Sequence, residues 1–184
     1  ALLHSIGKPL EGAELRVVNA DGRDAVQGEV GELWFRGAGV IPGYVGQQQD
    51  SSAFDDQGWM HSGDLGLVDG EGLVHLMGRQ KDMFIQGGFN VYPSDLEAQL
   101  RAHPAVDDVA VVGVPSDQWG ETPVAYVVSR TGQPARPEEI MGWYNQQAGK
   151  TQRLADLRFI AELPRSAIGK VLKRELRDQY AAGR

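Results

Sequence analysis

The stretch GRQKDMFIQGGFNVYPSDLE, residues 78–97, marks the point at which the character of the sequence changes. Before it, short apolar or alternating runs are separated by Gly-rich turns, which is typical of antiparallel strands. Within it, Pro93 opens a run that carries Leu96 and Leu100 on one face, and this spacing predicts an amphipathic helix. The sequence therefore predicts a β-rich segment up to about residue 78 and a mixed domain beyond it.

The β-rich segment contains four runs that we predict as strands. They are AELRVV (13–18), GELWFRG (31–37), LGLVD (65–69) and LVHLMG (73–78). No helical periodicity is evident between them, so we expect an antiparallel sheet or part of a distorted barrel.

Beyond residue 82, predicted strands are interspersed with predicted helices. The strands are DMFIQ (82–86), VDDVAVVGV (106–114), PVAYVVS (123–129) and LRFIAEL (157–163), and the helices are PSDLEAQLRAH (93–103), PEEIMGWYNQQ (137–147) and VLKRELRDQY (171–180). This order predicts a small α+β domain of about 100 residues, which is within the usual size of a domain. The fold class of the whole chain is therefore predicted as α+β.

Composition narrows the class of function. The 184 residues carry a formal net charge of −7 and include no cysteine. The acidic balance argues against nucleic acid as the main partner. Without cysteine there is no disulfide framework, so a reducing compartment is permitted and the cytoplasm is the expectation. No apolar run approaches the ~20 residues that a membrane span requires.

Two stretches near the boundary between the β-rich segment and the mixed domain carry candidate functional residues. Asp64, in WMHSGDLG, offers an acceptor-only carboxylate that suits the two hydroxyls of a ribose, but a turn-capping aspartate is the other interpretation. Arg79 and Lys81 stand where the two kinds of sequence meet, and two solvated charges in a linker would look the same.

Two further stretches lie in the α+β part. The pair Gly87 and Gly88, in QGGFN, permits either close approach of a ligand to the backbone or a tight turn. Lys170, in PRSAIGKVLKREL, stands at a predicted helix start where it could meet an anion, or it belongs to a cationic helix surface. The histidines show no spacing typical of metal ligands, so no metal site is predicted.

The order of four stretches resembles one family. GELWFRG, GWMHSGDLG, GRQKDMFIQGGFNVYPSDLE and PRSAIGKVLKREL are similar to the successive C-terminal motifs of the adenylate-forming superfamily. That superfamily includes acyl-CoA synthetases, adenylation domains of nonribosomal peptide synthetases and firefly luciferase. The resemblance extends from about residue 7 to residue 180, and four motifs in the same order make chance agreement improbable.

The resemblance implies a role for each candidate residue. Asp64 corresponds to the aspartate that holds the ribose hydroxyls of ATP, Arg79 to an arginine that also meets the nucleotide, and Lys81 to the hinge residue. Lys170 corresponds to the catalytic lysine of the C-terminal domain. The loop beside the channel for the thiol of CoA corresponds to Gly87, Gly88 and Asn90. The implied organisation is the β-rich end of a large N-terminal portion (1–78), a hinge (79–82) and a mobile C-terminal domain (83–184).

The implied activity is that of an ATP-dependent acid–CoA ligase, which forms an acyl-adenylate and then a thioester as AMP leaves. The form of the motif in this chain, GGFNVYPSDLE, is most similar to that of fatty-acyl or related carboxylate CoA ligases. The expected partners are therefore a small carboxylic acid, ATP and CoA. Mg²⁺ is expected with ATP, but the sequence offers no ligand for it. The alternatives are an adenylation domain that loads a carrier protein and a non-catalytic α+β binding module.

One part of the family pattern is missing. Nothing in the chain resembles the family's phosphate-binding loop rich in Ser, Thr and Gly, or its acyl pocket. We therefore expect the chain to be a C-terminal fragment whose partner is the N-terminal portion of the same enzyme, and we expect the fragment alone to be inactive.

Overall fold

The structure, a computed structural model, describes residues 5–41, 53–133 and 135–183. The chain divides into two compact units, Ala1–Gln80 and Lys81–Arg184. This division falls inside the segment 79–82 that was predicted as a hinge from the family resemblance. That the segment works as a hinge stays a prediction.

The first unit contains a four-stranded antiparallel sheet in which the strands follow the chain order. The strands are β1 (Ala13–Val18), β2 (Gly31–Gly37), β3 (Met60–Val68) and β4 (Val74–Arg79). Leu33 is completely buried, and Trp59 and Leu65 are buried with it. The predicted strands are confirmed, although β3 begins five residues before the predicted run.

The turn between β3 and β4 is closed by Asp69. Its carboxylate accepts a hydrogen bond from the His75 ring at 2.7 Å and from the backbone N–H groups of Glu71 and Leu73 at 2.9 Å. The bond from His75, followed by that from Leu73, lowers the pKa of Asp69 to about 2. The carboxylate is therefore ionised at neutral pH and fixes the hairpin that carries β4 back along β3.

The sheet of the second unit is built on one long hairpin. Its strands are β5 (Phe84–Gln86), β6 (Phe89–Val91), β7 (Val106–Ser116), β8 (Gly120–Ser129) and β9 (Asp156–Phe159). β8 pairs antiparallel with β7 along one edge, and its other edge pairs parallel with β9 and antiparallel with β5. Among the strands of the described residues, β6 pairs with β5 alone, and it was not predicted as a strand.

The helices cover both faces of this sheet. They are α1 (Pro93–Leu100), α2 (Pro137–Gln147) and α3 (Lys173–Ala182). Val111 belongs to a core shared with α1 and α2, whereas its neighbour Val112 belongs to a core shared with Leu176 of α3. Because both faces are buried, β7 and β8 read as continuous apolar runs instead of alternating ones. In the described residues, one antiparallel sheet, one mostly antiparallel sheet and three helices confirm the predicted α+β class.

The helix bounds differ from the sequence prediction at three ends, one of which is the end of α3 at Ala182, two residues beyond the predicted run. α1 ends at Leu100, before the residue that precedes Pro104, where helical conformation is disfavoured. α3 begins at Lys173, because Val171 forms a β-bridge with Arg165 and so cannot join the helix. Among the helices of the described residues, none has the length and apolar character needed to cross a membrane.

Candidate functional site

Asp64 and Arg79 lie opposite each other on neighbouring strands of the first unit. They are partners in the β3–β4 register, and Arg79 Nε donates to Asp64 Oδ1 at 2.6 Å. Both side chains stay partly exposed, at 32% for Asp64 and 43% for Arg79. A carboxylate has about four lone-pair sites, so this contact leaves Asp64 able to accept further hydrogen bonds. The pairing of β3 with β4 therefore brings the two candidates together.

A bulge in β3 sets the direction of Asp64. The register of β2 with β3 shifts between Glu32 and Trp34, so three residues of β3 lie opposite one residue of β2. Gly63 within the bulge has a φ of +69°, and its N–H donates to the Glu32 carboxylate at 2.9 Å. The N–H of Asp64 donates to Ser62 Oγ at 3.0 Å. Bulges commonly re-aim a side chain at functional sites, and Glu32 stabilises this one.

Lys81 is the first residue of the second unit. It lies in the middle of a 3-10 turn formed by Gln80–Asp82, directly after β4, and its side chain is exposed. Boundaries between compact units are the places where few contacts resist a change in backbone direction. The position of Lys81 is consistent with a pivot.

Gly87 and Gly88 form the two-residue turn of the β5–β6 hairpin. Their φ angles are +57° and +86°, as required of both central residues of a type I′ turn. Asn90 follows on β6 and is exposed. The tight turn that the sequence allowed is therefore present, and its tip is open to solvent.

Trp119, at the turn between β7 and β8, packs against this Gly-Gly turn. The N–H of Gly87 donates to the Trp119 carbonyl oxygen at 2.9 Å. A Cβ added to Gly87 would lie 2.9 Å from Cε3 of the Trp119 ring, which is closer than side-chain packing allows. The Gly-Gly turn can therefore approach the indole ring only because residue 87 lacks a side chain.

The same tryptophan lines a pocket of about 400 Å³ in the second unit. Lys150 and Arg153 also line it, so it carries two cations. Gln86, a third lining residue, is 2% exposed, and its Oε1 is buried without a hydrogen-bond partner within the described part of the chain. The two cations make the pocket suited to an anionic ligand.

Lys170 lies in a β-hairpin that connects β9 with α3. The N–H of Ser166 donates to the Lys170 carbonyl oxygen, and the N–H of Gly169 donates to the Ser166 carbonyl oxygen, both at 2.8 Å. The N–H of Leu172 closes the hairpin by donating to the Pro164 carbonyl oxygen at 2.8 Å. Gly169 has a φ of +80°, which a residue with a side chain rarely adopts. The Lys170 side chain is exposed at the end of this hairpin.

The sequence analysis did not find Glu32 or the pocket residues. Trp119 could have been found from the sequence, because it is a large apolar residue in the otherwise polar turn SDQWGE. A tryptophan in such a turn indicates packing against a neighbouring segment or a ligand. Lys150 and Arg153 carried no such signal, because exposed cations are common. Across the described ranges, no group of three or more histidine or carboxylate side chains is placed to hold a metal ion.

Two family descriptions match the chain. Residues 1–45 match "AMP-binding enzyme", and residues 95–170 match "AMP-binding enzyme C-terminal domain". These two matches give the class of the protein, the family described as AMP-binding enzymes.

Curated relatives and a solved structure agree with this class. The chain is 39% identical over 178 residues to a long-chain-fatty-acid–CoA ligase of Escherichia coli O157:H7, covering 95% of the chain and 31% of the relative. It is 35% identical over 180 residues to the fatty acid–[acyl-carrier-protein] ligase ScoC of Streptomyces coeruleorubidus, covering 98% and 35%. ATP-bound MatB from Rhodopseudomonas palustris matches with a TM-score of 0.88 at 35% identity, covering 96% of the chain and 36% of that structure.

The chain spans about a third of the length of the curated relatives that it matches. It belongs to the AMP-binding enzymes, which are the adenylate-forming superfamily that its motifs resemble. The predicted family membership is confirmed. The roles of the individual site residues remain predictions.

Proposed function

We propose that the chain is the C-terminal part of an AMP-forming acid–CoA ligase. The observation that carries this proposal is the distribution of the candidate residues over the two units. Asp64 and Arg79 are paired in the first unit, whereas Lys170 and the Gly87–Gly88 turn lie on separate hairpins of the second unit. A unit that carries two different candidate surfaces can serve two successive half-reactions.

The first unit would bind the nucleotide. Asp64, fixed by the bulge and by Arg79, would accept hydrogen bonds from the ribose hydroxyls of ATP through its remaining lone pairs. Arg79 would contribute positive charge close to the same nucleotide while it holds the carboxylate in place. Mg²⁺, which the described residues offer no cluster to hold, would arrive with the phosphates of ATP.

Lys170 would act in the first half-reaction. The substrate carboxylate attacks the α-phosphate of ATP, the bond to the bridging oxygen breaks, and pyrophosphate leaves. Negative charge grows on the phosphoryl oxygens in the transition state, and a compact ammonium group can stabilise that charge. The exposed side chain at the end of a hydrogen-bonded hairpin is suited to enter an active site completed by another part of the protein.

The Gly-Gly turn and the pocket would serve the second half-reaction. The thiol of CoA attacks the carbonyl carbon of the acyl-adenylate, and AMP leaves. The pantetheine arm would pass beside Gly88, where a Cβ would meet nothing within 4 Å, while Gly87 holds the turn against the Trp119 ring. The phosphates of CoA would meet Lys150 and Arg153 in the adjoining pocket, beside Trp119.

Replacing Arg153 with alanine in the full-length parent, meaning the protein with its complete N-terminal portion, tests the pocket. Arg153 is exposed on the pocket wall, so its loss should leave the fold intact. We expect the KM for CoA to rise by about 10-fold to 100-fold, because a charge-assisted contact is worth about 1.5–3 kcal/mol. The rate of pyrophosphate release should not change. An unchanged KM for CoA would contradict this location of the CoA phosphates.

We propose further that the second unit pivots at Lys81 to exchange the two surfaces. Lys81→Pro fixes φ and removes a backbone N–H at the first residue of the second unit. In the full-length parent one half-reaction should fall far more than the other, because the restricted backbone favours one arrangement. Both half-reactions should be measured separately, with Lys81→Ala as the matched control. Equal losses in both would show that Lys81 is not the pivot.

The function itself is tested by measuring products. The full-length parent is incubated with ATP and carboxylic acids of increasing chain length, and pyrophosphate release is followed; CoA is then added and the thioester is detected. We expect a fatty acid or a related carboxylate to give both products. The sequence of the isolated chain contains nothing that resembles the family's phosphate-binding loop or acyl pocket, so the isolated chain should release no pyrophosphate with any acid. If the full-length parent formed no adenylate with any of the acids, the result would favour a non-catalytic binding module.

A second function is favoured by one specific relative. The similarity to a fatty acid–[acyl-carrier-protein] ligase favours a carrier protein as the second candidate source of the thiol. In CoA and in a loaded carrier protein alike, the thiol stands at the end of a pantetheine arm. The Gly-Gly turn therefore suits either source of the thiol. The pocket cations distinguish them in the same assay, because the charged nucleotide end of CoA uses Lys150 and Arg153, whereas loading of a carrier protein would be insensitive to the substitution of Arg153.

A further inference from the structure

One arginine holds the hairpin that carries Lys170. Arg165 Nη1 donates to the carbonyl oxygen of Gly169 at 2.7 Å, and Arg165 Nη2 donates to Asp108 Oδ2 at 2.5 Å. The Gly169 carbonyl belongs to the peptide unit that leads directly into Lys170. A single planar guanidinium therefore ties this peptide unit to the Asp108 carboxylate of β7.

Asp108 is itself anchored to the sheet. Its Oδ1 accepts the backbone N–H of Val109 at 2.8 Å and lies 3.8 Å from Arg101 Nη2. Arg101 Nη2 also donates to the Val109 carbonyl oxygen at 3.2 Å. The carboxylate that holds Arg165 is thus oriented by the backbone of β7 and by the residue that follows α1.

The far end of the hairpin is anchored by a second ion pair. Lys173, the first residue of α3, contacts Glu97 of α1 with its Nζ 2.7 Å from Oε1. The same Glu97 oxygen accepts the N–H of Val111 in β7 at 2.9 Å. The segment between Arg165 and Lys173 is therefore fastened to α1 and β7 on both sides of Lys170.

We propose that Arg165 and Asp108 are positioning residues for Lys170. This inference rests on the proposed catalytic role of Lys170 and adds to it the side chains that set the position of its backbone. Lys170 has a long flexible side chain, so the place its ammonium can reach depends on where the hairpin holds its Cα. A displacement of about 1 Å at a catalytic group can cost about 100-fold in rate.

A purely structural role makes a different prediction. The Arg165 and Asp108 side chains are 40% and 30% exposed, so solvent screens their attraction and the pair contributes little to global stability. If the pair mattered only for stability, its loss would change the melting temperature slightly and would leave both half-reactions alone. If it positions Lys170, its loss lowers the rate of adenylate formation selectively.

The experiment compares four variants of the full-length parent. Arg165→Ala and Asp108→Asn should each lower kcat for adenylate formation by about 10-fold to 100-fold with little change in the KM for ATP. Arg165→Lys should recover part of the loss, because an ammonium can pair with Asp108 but cannot reproduce the two-sided contact of the guanidinium. Arg174→Ala is the matched control, since this exposed arginine of α3 is paired only loosely, at 4.0 Å from Asp178. Thioester formation from a supplied acyl-adenylate should be unchanged in all four.

A double-mutant cycle with Lys170→Ala decides the mechanism. If Arg165 acts through Lys170, adding Arg165→Ala to Lys170→Ala should cause no further loss of adenylate formation. Independent, multiplying losses would overturn the positioning role while leaving the role of Lys170 in place, as would a normal rate for Arg165→Ala alone. A normal rate for Lys170→Ala would instead refute the proposed catalytic role, and the inference would fall with it.

Discussion

Replacing Lys170 with alanine in the full-length parent is expected to slow adenylate formation by about 100-fold to 1000-fold, the usual cost of losing one preorganised charge contact in a transition state. Thioester formation from a supplied acyl-adenylate and CoA should proceed almost normally, because the second half-reaction is proposed to use the Gly-Gly turn instead. The two half-reactions should be measured separately by single-turnover kinetics on the same preparation.

The melting temperature of the Lys170→Ala variant provides the control. The Lys170 side chain is exposed, so its removal should leave stability within about 0.5 kcal/mol of the wild type. Lys170→Arg keeps a positive charge but replaces a compact ammonium with a larger planar group, and it should recover only part of the rate. A large drop in melting temperature, or equal loss of both half-reactions, would show that Lys170 serves the fold.

Replacing Glu97 with glutamine is expected to destabilise the second unit by about 3 kcal/mol, which is typical of removing one partner from a buried ion pair. The side chains of Glu97 and Lys173 are only 12% and 15% exposed. Glutamine keeps an oxygen for the N–H of Val111 but leaves the Lys173 ammonium without its counter-charge. The free energy of unfolding of the 184-residue chain, measured in urea, should report the loss.

The double variant Glu97→Gln with Lys173→Met separates the charge from the packing. Methionine removes the unpaired ammonium while filling similar space, and replacing both members of a buried pair is often nearly neutral. We therefore expect the double variant to recover most of the stability lost in Glu97→Gln. If the double variant were as unstable as the single one, the hydrogen bond to Val111 or the packing of α1 would account for the loss, and the ion pair would not.

Strands and helices whose bounds are marked by the apolar pattern, by glycine or by proline could be predicted from the sequence. β1, β2 and α2 have the bounds of the quoted runs, because their ends are marked by glycine turns or by Pro137. The start of β3 was not predictable, since its first residues are polar and bulged, and their strand conformation depends on Glu32 from the neighbouring strand. β9 ends at Phe159, four residues before the apolar run ends, because the run continues into a second core around Leu163.

The candidate site was predictable where one short motif carries the chemistry. Lys170, Asp64 and the Gly87–Gly88 pair each stand in a contiguous motif of the family. The contact between Arg165 and Asp108 joins residues that are 57 positions apart, and a single sequence gives no indication of such a contact. The pocket shows the same limitation, because its cations follow α2 whereas its tryptophan precedes β8.

The close approach of Gly87 to the Trp119 ring also has an evolutionary consequence. A larger residue at position 87 would need to adopt a left-handed backbone conformation and would collide with the indole, so it requires a smaller neighbour. The volumes of the residues at positions 87 and 119 should therefore covary inversely among homologues. Homologues with glycine at position 87 can keep the tryptophan at position 119. Homologues without that glycine need a smaller residue at position 119, which lines the pocket. A substitution in the β5–β6 turn should therefore change the size of the ligand that the pocket accepts.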